Sequence, residues 1–376
     1  MMRVFPILIA TLAWAQSTLP PWTPGTLDIH QISTGRGNAA FFILPDGTTM
    51  LVDAGAAGDG IPQTDPHPDA SRRPGEWIAR YISRHLPPGA AGLDYVLITH
   101  FHVDHMGGIA DVGAALPIRT LIDRGWPDYS YPAPLKDNAM AKYRRFLAEK
   151  VEKAERFAVG SDAQIRLKRE DPLFRIRNII ANGELWTGNG TRRLFPPLDS
   201  IPAADVPNEN MCSLGIRLEY GAFRYFTGGD LPGTPDPGFP AWHAVEAALG
   251  PAVGRVDVHV VNQHGSMGEE SDAFLAALGS TVLIIPSWAP SHPAPDVLKR
   301  IVNSRLEPSK RYVFATDLRD AARIVIGARV NSLAGPPGHI VVRVAPGGAS
   351  YSVFVLDHRD ERDTVIATQG PFRAGS

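Results

Sequence analysis

The stretch Tyr95-Val96-Leu97-Ile98-Thr99-His100-Phe101-His102-Val103-Asp104-His105-Met106-Gly107-Gly108 decides how this chain is read. Its first four residues are apolar and β-prone, as in a buried strand. The next residues place His100, His102 and His105, with Asp104, inside six positions, although the 376-residue chain has only 12 histidines. A strand that ends in His-x-His-x-Asp-His delivers nitrogen and oxygen donors from one loop at a sheet edge. Imidazole and carboxylate suit zinc, with manganese or iron as alternatives. A polar loop with scattered histidines is the competing account, and this clustering runs against it.

The bulk numbers set wide bounds. A hydrophobic fraction of 44% and a charged fraction of 20% describe an ordinary globular protein. A net charge of −2 argues against a tight, purely electrostatic binder of duplex DNA. The single cysteine, Cys212, excludes an internal disulfide and a cysteine-rich zinc site, and its apolar neighbours suggest a small buried side chain. Met1-Met2-Arg3, an apolar run over residues 4–12 and Ala13-Trp14-Ala15 have the pattern of a signal peptide cleaved before Gln16. That run is short for a membrane span and no later stretch is long enough. The expectation is a secreted or periplasmic protein with residues 1–15 removed and 16–376 forming one domain, without a transmembrane segment after cleavage.

Outward from the histidine stretch, residues 27–33, 39–44 and 50–53 have strand patterns, the last two joined by the turn Pro45-Asp46-Gly47. A helix is expected over 76–85, stopped by Pro87-Pro88, a short helix over 108–115 and a strand over 118–122. Residues 123–207 look inserted and partly helical. Met140, Tyr143, Leu147, Val151, Ala154 and Ala158 recur at helical steps, predicting one amphipathic helix. Residues 136–180 hold 12 Lys+Arg against 7 Asp+Glu, which suits a solvated face better than a nucleic-acid surface because acids are interspersed. Later come a hairpin over 214–227, the turn Gly228-Gly229-Asp230, a helix near 242–249 and a buried strand over 256–261. Helices over 272–278 and 295–304 alternate with strands over 282–286 and 312–315, and two late strands, 340–344 and 352–356, close the chain. Such recurring blocks suit two sheets packed face to face with helices outside.

More donors come after or before strands: Asp230, His264, and the loop Asn208-Glu209-Asn210. With them the sequence resembles the metallo-β-lactamase-fold hydrolases, and within these the hydrolase domain of ComEC-type competence (DNA-uptake) proteins. The resemblance is carried by His100 to Gly108, Asn208-Glu209-Asn210-Met211-Cys212-Ser213-Leu214, Thr227-Gly228-Gly229-Asp230, His264-Gly265-Ser266 and Ser291-His292-Pro293. It implies an αββα four-layer sandwich of two mixed sheets flanked by helices, holding one or two ions. His100 and His102 would hold the first metal, Asp104, His105 and His264 the second, and Asp230 would bridge them. Asp53 resembles the early aspartate that orients the histidine stretch, and His292 a late histidine near the leaving group, although it could instead brace the following helix. Where many members supply a third histidine, this chain has only Asn208, Glu209 or Asn210, with Asn210 taken as the donor. The turn before Asp230 has one extra glycine, and Cys212 is not the cysteine ligand of true β-lactamases.

A metal lowers the pKa of its bound water from ~15.7 towards ~7. Asp104 and Asp230 would orient that nucleophile, and His292 would serve the leaving group. The expected function is an exported metal-dependent hydrolase, with Zn2+ or alternatively Mn2+, acting on a phosphodiester as a nuclease or phosphodiesterase. Nucleic acid is a candidate partner. The alternatives are hydrolysis of a lactone, thioester or other small ester or amide, and a non-catalytic metal-binding envelope module.

Overall fold

The computed structural model describes residues 17–56, 65–304, 306 and 310–375, so the signal segment expected at 1–15 lies outside the described residues. The chain starts one sheet, builds a second, and returns to finish the first. Strands β1 (Leu27–Gln31), β2 (Ala40–Ile43), β3 (Thr49–Val52), β4 (Leu93–Ile98), β5 (Ile118–Asp123) and β6 (Val151–Arg156) belong to the first sheet. Strands β7 (Phe174–Ala181), β8 (Glu184–Trp186), β9 (Thr191–Arg193), β10 (Gly215–Tyr220), β11 (Phe223–Thr227), β12 (Val258–Val260), β13 (Val282–Ile285) and β14 (Tyr312–Ala315) make the second. The last three, β15 (His339–Val344), β16 (Ser350–Leu356) and β17 (Val365–Arg373), rejoin the first sheet, whose order is β17-β16-β15-β1-β2-β3-β4-β5-β6. The second runs β14-β13-β12-β11-β10-β7-β8-β9.

Alternation along the strands builds the layers. Phe42 and Leu97 point between the sheets, where they join Ile216, Leu218, Tyr225 and Ile284 in the central core. Their neighbours Phe41, Val96 and Ile98 point the other way, as period-two geometry requires. There they meet helices α1 (Pro74–His85), α3 (Ile109–Ala115) and α4 (Asn138–Lys150), with the single turn α2 (Val103–Met106) preceding α3. The outer face of the second sheet is covered by α5 (Glu246–Val253), α6 (Asp272–Leu278), α7 (Pro295–Asn303) and α8 (Asp320–Ile326), through Phe226, Leu249 and Phe274 on one side and Leu283, Val297 and Ile326 on the other. Each fully buried Phe or Leu contributes about 1.5–3 kcal/mol. This is the αββα sandwich of the metallo-β-lactamase fold.

The pairing from β3 to β6 is parallel, and so is that from β11 to β14. Parallel neighbours end on the same side, so the loops after β3, β4, β11 and β12 converge on one edge of the sandwich.

Several local expectations change. The helix predicted through Ala158 stops at Lys150, and Val151–Arg156 becomes an edge strand beside β5. Val151 and Ala154 fit a helical step only by coincidence. A β-branched residue at the C-cap and a parallel partner decide the outcome. Residues 123–207 also supply β7, β8 and β9, so this segment adds strands to both sheets. The chain does not close on the strand over 352–356: β17 comes after it and pairs antiparallel with β16. Helix α8 has no counterpart among the expected elements.

Candidate metal centre

The donors at this edge stand mostly on loops leaving parallel strands. β4 runs into Thr99 and His100, β3 into Asp53, β11 into Asp230, and β12 into Asn262 and His264. The extra glycine before Asp230 has a steric reason. Gly229 has φ 61°, and a Cβ there would stand 2.8 Å from Thr99 Cβ and Oγ1, so only glycine lets β11 come this close to the histidine loop.

The donors form two groups that share Asp230: Asp104, His105, Asp230 and His264 in one, and His100, His102 and Asp230 in the other. In the first, His264 Nε2 lies 3.2 Å from His105 Nε2, 3.1 Å from Asp104 Oδ2 and 3.6 Å from Asp230 Oδ2, and His105 Nε2 lies 3.2 Å from Asp230 Oδ1. In the second, His100 Nε2 is 3.1 Å from His102 Nδ1 and 3.7 Å from Asp230 Oδ2. Two ligand atoms at ~2.05 Å from a tetrahedral ion are about 3.3 Å apart, which is the spacing found here.

The remote ring nitrogens explain the orientation. Asp53 is wholly buried, and its carboxylate accepts from Thr99 N at 2.8 Å, Thr99 Oγ1 at 2.9 Å, Asn38 Nδ2 at 2.9 Å and His105 Nδ1 at 2.7 Å. The Thr99 hydroxyl that donates to Asp53 accepts from His100 Nδ1 at 3.1 Å, and Pro286 O accepts from His264 Nδ1 at 2.9 Å. Each of these rings has its outer N–H committed, so Nε2 is the atom that faces inward, as a metal ligand requires. These tautomers follow from the partners present.

Charge supports the same fit. Burial opposes ionisation of Asp230, yet His105, His264 and His100 outweigh it and hold its carboxyl well below the usual range. For Asp104, burial is likewise outweighed by His105 and His264. Burial drags His105 down, but Asp230, Asp53 and Asp104 raise it well above the ordinary value. A cation would displace the proton that these carboxylates hold on His105, so the donor set suits divalent ions.

The asparagine loop resolves into three different jobs. Asn208 Oδ1 accepts from Met211 N at 3.1 Å and shapes the loop. Glu209 is taken up by Arg124 and the histidine loop, accepting from Arg124 Nε at 2.8 Å, Arg124 Nη2 at 2.5 Å and Phe101 N at 2.8 Å. Asn210 Oδ1 is buried without a hydrogen-bond partner, and so is the one oxygen of this loop left for a ligand role. Cys212 is fully buried in the apolar cluster that includes Ile180 on β7 and Phe226 on β11, and burial pushes its thiol up to about 12.

His292 stacks on His264 with ring centres 5.0 Å apart, and its Nε2 lies 3.4 Å from Ser266 Oγ. Burial, with His264 adding, pushes it down to about 3. Trp288 stands edge-on to both rings and carries no sequence signal, and Arg124, buried under the loop, carries none either.

Residues 33–198, less than half of the chain, match the family model described as Metallo-beta-lactamase superfamily, a span that contains Asp53 and the whole histidine stretch. No curated protein matches the chain. Among solved structures, the chain is similar to a mutant of the β-hydroxylase CmlA, at 13% identity and TM-score 0.43, covering 79% of this chain and 53% of that one. The chain thus spans about half the length of that protein. Zn2+-bound PqqB from Methylobacterium extorquens is 14% identical with TM-score 0.39, covering 69% of this chain and 88% of its own. Unliganded yeast PDE1 is 12% identical with TM-score 0.35, covering 82% and 93%. The histidine stretch and Asp53 thus lie inside the span that matches the Metallo-beta-lactamase superfamily model, and Asp230 and His264 complete the donor set beyond it.

Proposed function

We propose that this protein is an exported, ComEC-type hydrolase of phosphodiesters that works with two divalent cations, zinc in the first instance. The observation that carries the proposal is the sharing of Asp230 between two donor groups. A carboxylate common to two cation sites suits in-line displacement at phosphorus, where attacking and leaving oxygens both need stabilisation. The unpartnered Asn210 oxygen, in the loop that resembles the asparagine loop of ComEC-type domains, supports that branch. Export rests on the pattern of residues 1–15; among the described residues no helix is long and apolar enough to cross a membrane.

His100, His102, Asn210 and Asp230 would hold one ion, and Asp104, His105, His264 and Asp230 the other. Ions held there supply Lewis acidity and neutralise charge gathering on the phosphoryl oxygens. Asp53, Thr99 and Pro286 keep the outer ring protons in place, so His100, His105 and His264 offer Nε2 without reorganisation. Asp104, the more accessible carboxylate of its group, orients the attacking water by accepting its hydrogen bond and takes up its proton. His292, on the far side of His264 and kept neutral by burial, would offer its N–H as a hydrogen bond to the departing oxygen, which would take back the proton held by Asp104. The basic surplus of residues 136–180 contributes little, because Arg145, Lys153, Lys168, Arg175 and Arg177 each pair with a carboxylate.

A panel of a nitrophenyl phosphodiester, an alkyl phosphodiester, a lactone, a thioester and a cephalosporin tests this on zinc- and manganese-loaded protein. Phosphodiester turnover that falls at least ~100-fold in Asp230→Asn is expected. His292→Ala should slow the alkyl diester and spare the nitrophenyl one, whose departing oxygen delocalises its charge and does not need the hydrogen bond. Turnover of the lactone or thioester alone would replace the substrate class.

A further inference from the structure

Behind Asp230 and His264 lies a group of acidic side chains with no part in the hydrolytic chemistry. Glu246, at the start of α5, and Glu270, just before α6, are wholly buried, and Glu269 is nearly so. Most of their hydrogen bonds go to the segments that carry the two ligands or to each other's main chain. Glu246 Oε1 accepts from Asn262 Nδ2 at 2.9 Å and Glu270 N at 3.0 Å, while its Oε2 accepts from Ser271 N at 2.8 Å. Glu270 Oε1 accepts from Asn262 N at 3.1 Å, and its Oε2 meets His259 Nε2 at 2.9 Å, whose Nδ1 is held by Ser280 Oγ at 2.7 Å. Glu269 accepts from Gly233 N, three residues after Asp230. A Cβ on Gly233 would come within 2.6 Å of Glu246 Oε2, so this loop lies directly on the cluster.

The segment being held is strained. Asn262 opens a turn in which Gln263, His264 and Gly265 have φ of 45°, 57° and 75°. Left-handed backbone is unfavourable for residues with a Cβ, and two successive ones persist only where surrounding bonds over-determine them. Here both the main-chain N–H and the side-chain amide of Asn262 end on buried glutamates, and Gln263 N donates to Gly229 O at 3.2 Å. The cluster therefore grips the entrance to the His264 turn and the exit from the Asp230 loop together.

We propose that Glu246, Glu269 and Glu270 form a clamp of positioning residues that holds His264 and Asp230 at the spacing a metal ion needs, so that the affinity of the Asp104–His105–Asp230–His264 site is set from outside its ligand shell. The proposal rests on the reading of this edge as a metal centre. Burial, with Glu270 adding, raises Glu246 to about 8, and burial, with Glu246 adding, raises Glu269 to about 10. A glutamine at 246 keeps the one oxygen that accepts from Asn262 Nδ2 and Glu270 N and gives up only the bond from Ser271 N, whereas a leucine loses all three.

That contrast gives the test. Cobalt(II) absorption and zinc competition against a chromogenic chelator are measured for full-length wild type, Glu246→Leu, Glu246→Gln, Glu269→Leu and Leu249→Ala, with Tm recorded for each. Leu249, buried on the same helix, controls for lost stability. Glu246→Leu should weaken one ion about 10–100-fold and alter its cobalt spectrum, the scale expected when a ligand loses its outer support. Glu246→Gln should restore both to near wild type, and Leu249→Ala should lower Tm with the spectrum unchanged. Glu269→Leu, which frees only Gly233 N, covers the case in which Glu246→Leu does not fold. Wild-type affinity and spectrum in both leucine variants overturn the clamp, as does failure of both to fold, which assigns the cluster to stability alone. A wild type that binds no cobalt or zinc overturns the metal centre itself.

Discussion

Replacing Asp53 with Asn separates the support of the proposed metal ligands from the ligands themselves. Asp53 has φ 60°, a conformation that asparagine also tolerates, so the change adds little backbone strain. Four donors converge on the carboxylate: Oδ2 takes Thr99 Oγ1, Asn38 Nδ2 and His105 Nδ1, while Oδ1 takes only Thr99 N. An asparagine can place its one oxygen at the Oδ2 position and keep three bonds, but its NH2 then opposes the buried Thr99 N–H. Leaving that donor unsatisfied costs about 1–3 kcal/mol. The opposite amide orientation forfeits three bonds and favours the His105 tautomer whose Nε2–H points into the site, so it is the costlier choice. The expected result is a metal-free protein destabilised by about 1–3 kcal/mol in urea denaturation. Zinc affinity should fall about 10–100-fold in chelator competition, because His105 loses the anion behind its Nδ1–H. Wild-type values in both assays would refute the argument; a loss of stability with unchanged affinity would reduce Asp53 to a structural residue.

Acid should weaken the fold through histidines far from the metal centre. Burial, with His30 adding, lowers His85 to about 4, and burial, with His67 adding, lowers His358 to about 4. Against an unfolded value of ~6.5, the unfolded chain binds more protons, so stability is full above that pH and declines as pH falls towards 4. Each histidine should cost about 2 kcal/mol between pH 7 and pH 5, and a His85→Gln, His358→Gln variant should lose that slope in metal-free denaturation; parallel curves would refute it. Glu209→Gln should cost about 3–5 kcal/mol, because Arg124 keeps its charge while buried without a counter-ion; a loss under ~1 kcal/mol would show the pair to be dispensable. Protein recovered from the cell envelope or medium should begin at or near Gln16, and an intact Met1 or Met2 on exported protein would exclude cleavage there.

The histidine stretch is legible in the sequence because its donors are crowded onto one loop after an apolar strand, where pattern and chemistry coincide. Asp230 and His264 are legible only through their short glycine-containing contexts. The clamp is invisible for the opposite reason. Glu246, Glu269 and Glu270 occupy ordinary positions beside helix starts, where acids are common, and only burial singles them out. Glu209 can be told from Asn210 only by seeing Arg124 beneath it. The mistaken helix over Val151 to Ala158 shows how a few apolar residues can satisfy a helical period while a neighbouring strand decides their fate. Strand β7 carries an alternation, Arg175-Ile176-Arg177, that is masked within what looks like an insertion.

The return of the chain to its first sheet has a consequence for the order of assembly. Strand β1 lies between β2 and β15, and Asp28 on β1 is held by Arg343 on β15, 315 residues away in sequence. Ser17 O, nearer the start of the described chain, accepts from Val365 N at the beginning of β17. During synthesis the opening strands must therefore wait, with one edge unpaired, until β15 and its successors have emerged. Such remote pairings slow folding and lengthen exposure of unpaired edges. A ribosome stalled before β15 would leave the edge of β1 without its partner.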